Sequence, residues 1–212
     1  MKNISLSILT ILKRALLFAA LCLPGIVHAA PAAKNILLFG DSLSAGYGID
    51  TNDSWPSLLQ RELERGRYPF RIVNASISGE TTLGGRQRLA RLLEQHRPAI
   101  VIVALGANDG LRGFSSADIE SNLNDMLAQI SRTRAQVLLV GMKLPPNYGE
   151  TYITQFQAIF PRLAAKHRVR LLPFLLEGVS AEQFQADYLH PAAATQPQIM
   201  RNVLGSLKPL LR

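Results

Sequence analysis

A serine, a histidine and an aspartate stand where they could form a nucleophilic site. Ser42 directly follows an apolar segment, and His190 stands three residues after Asp187 near the other end of the chain. A serine hydroxyl is a weak nucleophile at its own pKa, so it needs an imidazole to take its proton and a carboxylate to orient that imidazole. If the fold brings the two ends together, these residues predict hydrolysis through a covalent acyl intermediate.

The same chemistry requires hydrogen-bond donors for the negative charge that develops on the carbonyl oxygen of an ester. The backbone N–H of Ser42, at a predicted helix start, is one candidate. Gly79 allows close approach of the backbone and offers a second donor, and the side-chain amide of Asn108 offers a third. We therefore predict an oxyanion hole formed by Ser42, Gly79 and Asn108, with His190 as the general base and Asp187 as the group that orients it.

The elements that must position these residues alternate between strands and helices. Five segments nearly continuous in Ile, Val and Leu are typical of buried parallel strands: 35–39, 71–74, 99–105, 136–142 and 170–174. Amphipathic helical patterns cover 55–65, 83–96, 117–134, 152–166 and 192–207. Repeated βα units predict an α/β fold, a flavodoxin-like three-layer sandwich whose five-stranded parallel sheet has the order 2-1-3-4-5, with helices on both faces. Ligands bind beyond the carboxyl ends of such strands.

Two local features of these helices can be read from single residues. Ser115 or Ser116 is placed to cap the helix predicted to start at 117. Pro161 lies inside the helix predicted over 152–166, and proline in a helix interior should kink or split it.

Four blocks of the sequence, in order, resemble the SGNH (GDSL-type) hydrolases. They are Gly40-Asp41-Ser42-Leu43-Ser44, the segment around Gly79, Gly106-Ala107-Asn108-Asp109 and Asp187-Tyr188-Leu189-His190-Pro191. The resemblance runs from about residue 35 to the C-terminus. It implies that Ser42, Gly79, Asn108 and His190 are the four residues that give the family its name.

Within that family the chain is most similar to bacterial periplasmic esterases that act as acyl thioesterase, lysophospholipase and arylesterase. The similarity lies in segments 74–79, 108–114 and 144–149. It implies a small-molecule acyl ester or lysophospholipid as substrate, and it implies that Leu111, Phe114, Leu144 and Pro145 border an acyl pocket. One departure is Ala192-Ala193 after the last block, where those enzymes commonly carry a polar residue.

The start of the chain has the composition of a signal peptide. Lys2, Lys13 and Arg14 precede a short apolar run, and Val27-His28-Ala29 fits the small-x-small cleavage pattern. We predict a signal peptide over 1–29, an SGNH hydrolase domain over 30–212 and a periplasmic or secreted location. A membrane-spanning anchor is a weaker interpretation of this segment, because the apolar run is short. A lipid anchor at Cys22 is also a weaker interpretation, because no small residue precedes that cysteine.

Composition and residue spacing argue against several other classes of function. The one cysteine falls in the predicted signal peptide, so the mature chain has no disulfide and no thiolate site. No spacing suits a metal or a nucleotide, so we expect no cofactor. The arginines are spread over helix faces and not interleaved with aromatics, which predicts solvated surface and no nucleic-acid binding. Their mildly basic balance is compatible with transient contact with membrane lipid, and we expect a monomer.

Three other interpretations compete with this one, and the residues count against the first of them. An α/β-hydrolase would carry its serine in G-x-S-x-G after several strands, whereas Ser44 replaces the final glycine here. A carbohydrate O-acetyl esterase and a non-catalytic lipid-binding protein could share the predicted fold. His96 and His167 stand at predicted helix ends and are interpreted as structural. Asp41 is assigned no catalytic role and is expected to cap or brace its loop.

Overall fold

The computed structural model of the chain describes residues 33–212, so the predicted signal peptide over 1–29 lies outside the described residues. Five parallel strands form one sheet in the order β2-β1-β3-β4-β5, as predicted. The strands are β1 (Lys34–Gly40), β2 (Phe70–Asn74), β3 (Ile100–Ala104), β4 (Gln136–Val140) and β5 (Arg170–Leu172). The central β3 is buried along its whole length, which explains its continuous Ile-Val-Ile-Val sequence.

Helices cover both faces of this sheet and complete three layers. They are α1 (Ser42–Ala45), α2 (Trp55–Arg65), α3 (Thr82–His96), α4 (Ala107–Leu111), α5 (Ser116–Ser131), α6 (Glu150–His167) and α7 (Gln196–Leu207). Helix α5 packs between α3 and α6, and α2 packs against α7. This arrangement confirms the predicted flavodoxin-like α/β sandwich.

Helix α5 shows how the apolar pattern becomes packing. The side chains of one stripe are all buried: Ile119, Leu123, Met126, Leu127 and Ile130. The Ser115 hydroxyl accepts a hydrogen bond from the Asp118 backbone N–H at 3.2 Å, so Ser115 is the cap and Ser116 is the first helical residue.

Two helix predictions were wrong in part. Pro161 does not split α6, which runs unbroken from Glu150 to His167. Pro161 is exposed while Phe156, Phe160 and Leu163 are buried. Packing of these side chains in the core therefore keeps the helix intact, although Pro161 cannot donate a backbone hydrogen bond.

The final helix begins at Gln196 and not at 192, after a single 3₁₀ turn over Ala193–Thr195. The Thr195 hydroxyl donates to the Gln183 carbonyl at 3.0 Å, and the Gln196 side chain accepts from the Trp55 N–H at 3.0 Å. These ties to neighbouring loops hold the segment before Gln196 outside the α-helix.

The connections at the carboxyl ends of the strands bring distant parts of the chain to one edge of the sheet. β1 runs into α1 after one residue, β2 into the loop before α3, and β3 into α4 after two residues. Over residues 33–212, no helix combines the length and the apolar character needed to cross a membrane.

Candidate active site

Ser42 is the first residue of α1 and is held there by a local cap. The Asp41 carboxylate accepts a hydrogen bond from the Leu43 backbone N–H at 3.0 Å, and Gly46 ends the helix with φ of 78°. The Trp55 indole N–H donates to the Leu43 carbonyl at 2.9 Å. This one-turn helix therefore has a fixed position, with the Ser42 side chain at its start.

Gly40 makes room for the turn from β1 into α1. A Cβ at this position would lie 2.8 Å from the Ser44 hydroxyl oxygen and 3.1 Å from the Ala104 carbonyl oxygen of the neighbouring strand. A larger residue would push α1 away from the sheet, so the small residue before Asp41 is a packing requirement.

The structure brings together the three side chains that the sequence proposed as nucleophile, base and orienting group. His190 Nε2 lies 2.8 Å from Ser42 Oγ, and His190 Nδ1 lies 2.6 Å from Asp187 Oδ2. The other carboxylate oxygen of Asp187 accepts from the backbone N–H groups of Leu189 and His190. Backbone and side-chain hydrogen bonds from His190 are the main causes that lower the pKa of Asp187 to about 2.

The loop that carries His190 is fixed by contacts that no sequence motif predicts. Phe184 and Pro191 form an antiparallel bridge, and the Gln185 side-chain amide donates to the Tyr47 carbonyl at 2.9 Å. The Tyr47 ring packs against the His190 ring with centroids 4.4 Å apart. Tyr47 and Gln185 therefore position the imidazole, and sequence reasoning missed both because their partners are far along the chain.

The two other residues predicted to form the oxyanion hole, Gly79 and Asn108, lie beside the same cavity as the serine. Gly79 has φ of 79°, a conformation that favours glycine, and both Gly79 and Asn108 line the same cavity as Ser42. The Asn108 amide nitrogen donates to the Glu80 carbonyl at 3.0 Å. Because an amide nitrogen carries two hydrogens, this bond fixes its orientation and leaves one N–H for another acceptor.

A buried carboxylate ties α4, which carries Asn108, to the start of α3, which follows the Gly79 loop. Asp109, next to Asn108 and 1% exposed, accepts from the Thr82 backbone N–H at 2.9 Å and from the Thr82 hydroxyl at 2.5 Å. The Asn122 amide in turn donates to the Thr82 hydroxyl oxygen at 3.1 Å. Burial raises the pKa of Asp109, and the hydrogen bonds from Thr82 oppose that rise. This contact was not anticipated from the sequence.

Asp41 is a second buried carboxyl beside the serine. Burial raises its pKa from 3.8 to about 7, against the opposing hydrogen bond from the Leu43 N–H. The structure thus places Asp41 as the cap of α1, in keeping with the bracing role expected for it. The same residue also borders the cavity.

A cavity of about 500 Å³ opens beside the serine, with a mostly apolar wall. Three of the four residues predicted to border an acyl pocket line it, namely Leu111, Leu144 and Pro145. Phe114 does not: it is 42% exposed and lies outside the lining, because α4 ends before it. Further lining residues were not predicted from the sequence: Met142, Lys143, Phe174, Leu176 and Phe184.

The two remaining histidines of the described chain lie away from this site. His96 and His167 are the last residues of α3 and α6, at the amino edge of the sheet. His167 Nε2 is 3.0 Å from the Asn124 side-chain oxygen. Across residues 33–212, no group of three or more His, Cys, Asp or Glu side chains is arranged to hold a metal ion.

In a comparison with known proteins, one family model covers Ser42, Gly79, Asn108, Asp187 and His190. Residues 38–196 match the model of the "GDSL-like Lipase/Acylhydrolase family". The chain is 46% identical over 200 residues to "Esterase TesA" of Pseudomonas aeruginosa, which covers 93% of this chain and 100% of that protein. It is 42% identical over 184 residues to "Thioesterase 1/protease 1/lysophospholipase L1" of Escherichia coli K12, which covers 86% and 87%. A solved "Crystal Structure of TesA" has a TM-score of 0.82 and 47% identity, and covers 84% of this chain and 100% of that one.

Proposed function

Because the chain belongs to the GDSL-like lipase/acylhydrolase family and is an enzyme that hydrolyses ester bonds, we propose that it is an exported serine esterase. Its substrates are fatty acyl esters, including aryl esters, thioesters and lysophospholipids, and its intermediate is an acyl-enzyme. The observation that carries this proposal is the unbroken chain of contacts from Asp187 through His190 to Ser42.

The first half of the reaction acylates the serine. His190 Nε2 takes the proton of Ser42 Oγ as that oxygen bonds to the ester carbonyl carbon. The tetrahedral intermediate collapses, the bond from carbon to the leaving oxygen or sulfur breaks, and the imidazolium returns the proton to the leaving group. Asp187 keeps Nδ1 protonated and stabilises the positive imidazolium, a role supported by its lowered pKa of about 2.

The second half releases the acid. Water gives a proton to His190 and attacks the acyl carbon, and the bond to Ser42 Oγ breaks as that oxygen regains its proton. In both halves the negative carbonyl oxygen accepts hydrogen bonds from the N–H of Ser42, the N–H of Gly79 and the amide of Asn108. Preorganised donors of this kind each contribute about 10²–10³ in rate.

The wall of the cavity favours an acyl chain over a sugar. Leu111, Leu144 and Phe174 are among its lining residues, and an apolar wall stabilises a chain in proportion to the area it removes from water. The names of the relatives, an esterase and a thioesterase/lysophospholipase, fit the same substrate class. Export is proposed from the cationic and apolar composition of residues 1–29.

The direct test measures hydrolysis of p-nitrophenyl esters of increasing chain length, together with an acyl thioester and a lysophospholipid. We expect turnover with a preference for medium or long chains and stoichiometric labelling of Ser42 by a fluorophosphonate. Activity on acetate esters alone would favour the carbohydrate O-acetyl esterase. Absence of both turnover and labelling would favour a non-catalytic lipid-binding protein.

A further inference from the structure

Large hydrophobic side chains are exposed at only one edge of the described molecule. Over residues 33–212 there are six of them: Tyr47, Ile77, Leu83, Phe114, Tyr188 and Leu189. We call these six residues the apolar rim. Each belongs to a loop or a first helical turn at the carboxyl ends of the strands. Scattered exposed hydrophobic residues are ordinary, but their confinement to one edge is not.

The apolar rim continues the wall of the catalytic cavity out to the surface. Tyr47, Tyr188 and Leu189 line the cavity itself, and Ile77 lies two residues before Gly79. Tyr188, 81% exposed, and Leu189, 46% exposed, stand between Asp187 and His190. A partner on this rim would therefore lie directly above the mouth through which an acyl chain must enter.

Cations accompany the rim. Arg112 is exposed, and its guanidinium donates to the Gly79 carbonyl at 3.3 Å; it has no carboxylate within salt-bridge distance among the described residues. Lys143 also lines the cavity, with its ammonium group 4.5 Å from the centre of the Phe174 ring and 3.5 Å from Glu177. Apolar and tyrosine side chains next to cations match the acyl and phosphate layers of a phospholipid surface.

The opposite edge of the sheet has a different character. It presents exposed cations at the ends of helices and the starts of strands: Lys34, Arg97, Arg134, Arg168 and Arg212. None of the six large exposed hydrophobic residues of the described chain lies there. This edge could attract an anionic surface by charge alone, so it supplies the matched comparison for any test of the rim.

We propose that the apolar rim docks on the surface of a phospholipid bilayer, with Arg112 against lipid phosphate and the cavity mouth open to the acyl layer. The proposal rests on the proposed function, since it presumes that the substrate is an acyl ester of lipid origin. A docked mouth lets the acyl chain pass from the lipid layer into the cavity without full exposure to water, which is unfavourable in proportion to the chain length.

The test compares the wild-type chain with the double variant Ile77→Ser/Leu83→Ser, whose two positions lie outside the cavity lining. Flotation with vesicles of equal parts phosphatidylcholine and phosphatidylglycerol should recover wild-type protein and at least about tenfold less of the double variant. Turnover of soluble p-nitrophenyl butyrate should be the same for both proteins. Equal flotation of the two, or no flotation of the wild type, would overturn the proposal.

A second double variant, Arg97→Ser/Arg134→Ser, removes two exposed cations from the opposite edge. It should float like the wild type, and loss of flotation in this variant alone would show that the chain adsorbs through its basic edge and overturn the proposal. The proposed function fails separately, because its failure would appear as absence of turnover on the soluble ester by the wild type.

Discussion

His190 Nε2 lies 2.8 Å from Ser42 Oγ, although 148 positions separate the two residues in the sequence. Ser42 starts the helix that follows the first strand, and His190 lies in the loop before the last helix. The two meet because the sheet gathers the carboxyl ends of its strands at one edge, where the Phe184–Pro191 bridge fixes the returning loop. This contact is the basis of the proposed mechanism.

Replacement of the nucleophile tests that mechanism most directly. Ser42→Ala should reduce ester turnover by at least about 10³ and abolish fluorophosphonate labelling, because among the described residues Ser42 carries the only hydroxyl that is hydrogen-bonded to His190. Ser44→Ala is the matched control, since Ser44 is fully buried one half-turn away and its hydroxyl has no hydrogen-bond partner in the structure. Retained labelling in Ser42→Ala would contradict the assignment.

Asp187→Asn should lower kcat by up to about 10⁴ and leave KM close to the wild-type value, because an amide cannot hold the imidazole in the required tautomer or balance its charge. The backbone N–H groups of Leu189 and His190 would still be bonded to the amide oxygen, so the loop should keep its shape. Steady-state kinetics on a soluble ester measure the effect. A wild-type kcat would remove Asp187 from the mechanism.

Asn108→Ala should lower kcat by about 10²–10³, since one of the three proposed donors to the carbonyl oxygen is lost. KM should change little, because that hydrogen bond strengthens only as negative charge develops. Asn147→Ala, an exposed asparagine in the turn over Pro146–Tyr148, serves as the control. The kcat and KM values of both variants, measured on one ester, test this role. Equal kcat values for the two variants would contradict the assignment of Asn108 as a donor to the carbonyl oxygen.

Thr82→Val should lower kcat by about 10- to 100-fold, because Asp109 then loses the hydroxyl that helps to tie the Gly79 loop to Asn108. Thr82→Ser keeps that hydroxyl and should restore activity. The rate of fluorophosphonate labelling is the second readout. If Thr82 had only a structural role, a substitution would lower the melting temperature, and the Val and Ser variants would be labelled at the same rate. Equal kcat values for Val and Ser at position 82 would contradict this role.

Asp41→Asn should change how stability depends on pH. The folded chain holds the Asp41 proton up to about pH 7, whereas the unfolded chain releases it near its ordinary value of 3.8. The contribution of Asp41 to the free energy of unfolding therefore falls as pH rises between these values and is level above them. The neutral amide of the variant does not titrate, so it causes no such fall in the free energy of unfolding. The stability of the variant relative to wild type should therefore rise by up to about 4 kcal/mol across that window.

Urea unfolding of both proteins near pH 4 and near pH 8 measures this change. Other titrating groups cancel in the difference, because the two proteins share them. A stability difference that is the same at both pH values would mean that Asp41 is not held protonated in the folded chain.

Much of this molecule could be predicted from the sequence because the relevant signals are local. The continuous apolar runs identified all five strands, and the alternation with helices predicted a parallel sheet, for which the expected flavodoxin-like order 2-1-3-4-5 is confirmed. Helix α2 was predicted over its full extent, from Trp55 to Arg65, because Pro56 marks its first turn and Gly66 follows its end. The catalytic roles of Ser42 and His190 stay predictions until the variants above are measured.

Other features depended on contacts between residues far apart in sequence. Pro161 lies inside an unbroken helix because Phe156 and Phe160 are buried beneath it, and no local pattern reports that support. Likewise, Phe114 faces solvent and not the cavity, although its neighbours in sequence suggested the acyl pocket.

The sequence by itself determined which side chains could act and at which edge of the sheet they would gather, since the chemistry of Ser, His and Asp and the direction of parallel strands are local properties. Only the tertiary structure decided the distances among them, the ring of Tyr47 against His190 and the carboxylate of Asp109 on Thr82. Those contacts join separate elements, and their geometry depends on how the whole core packs.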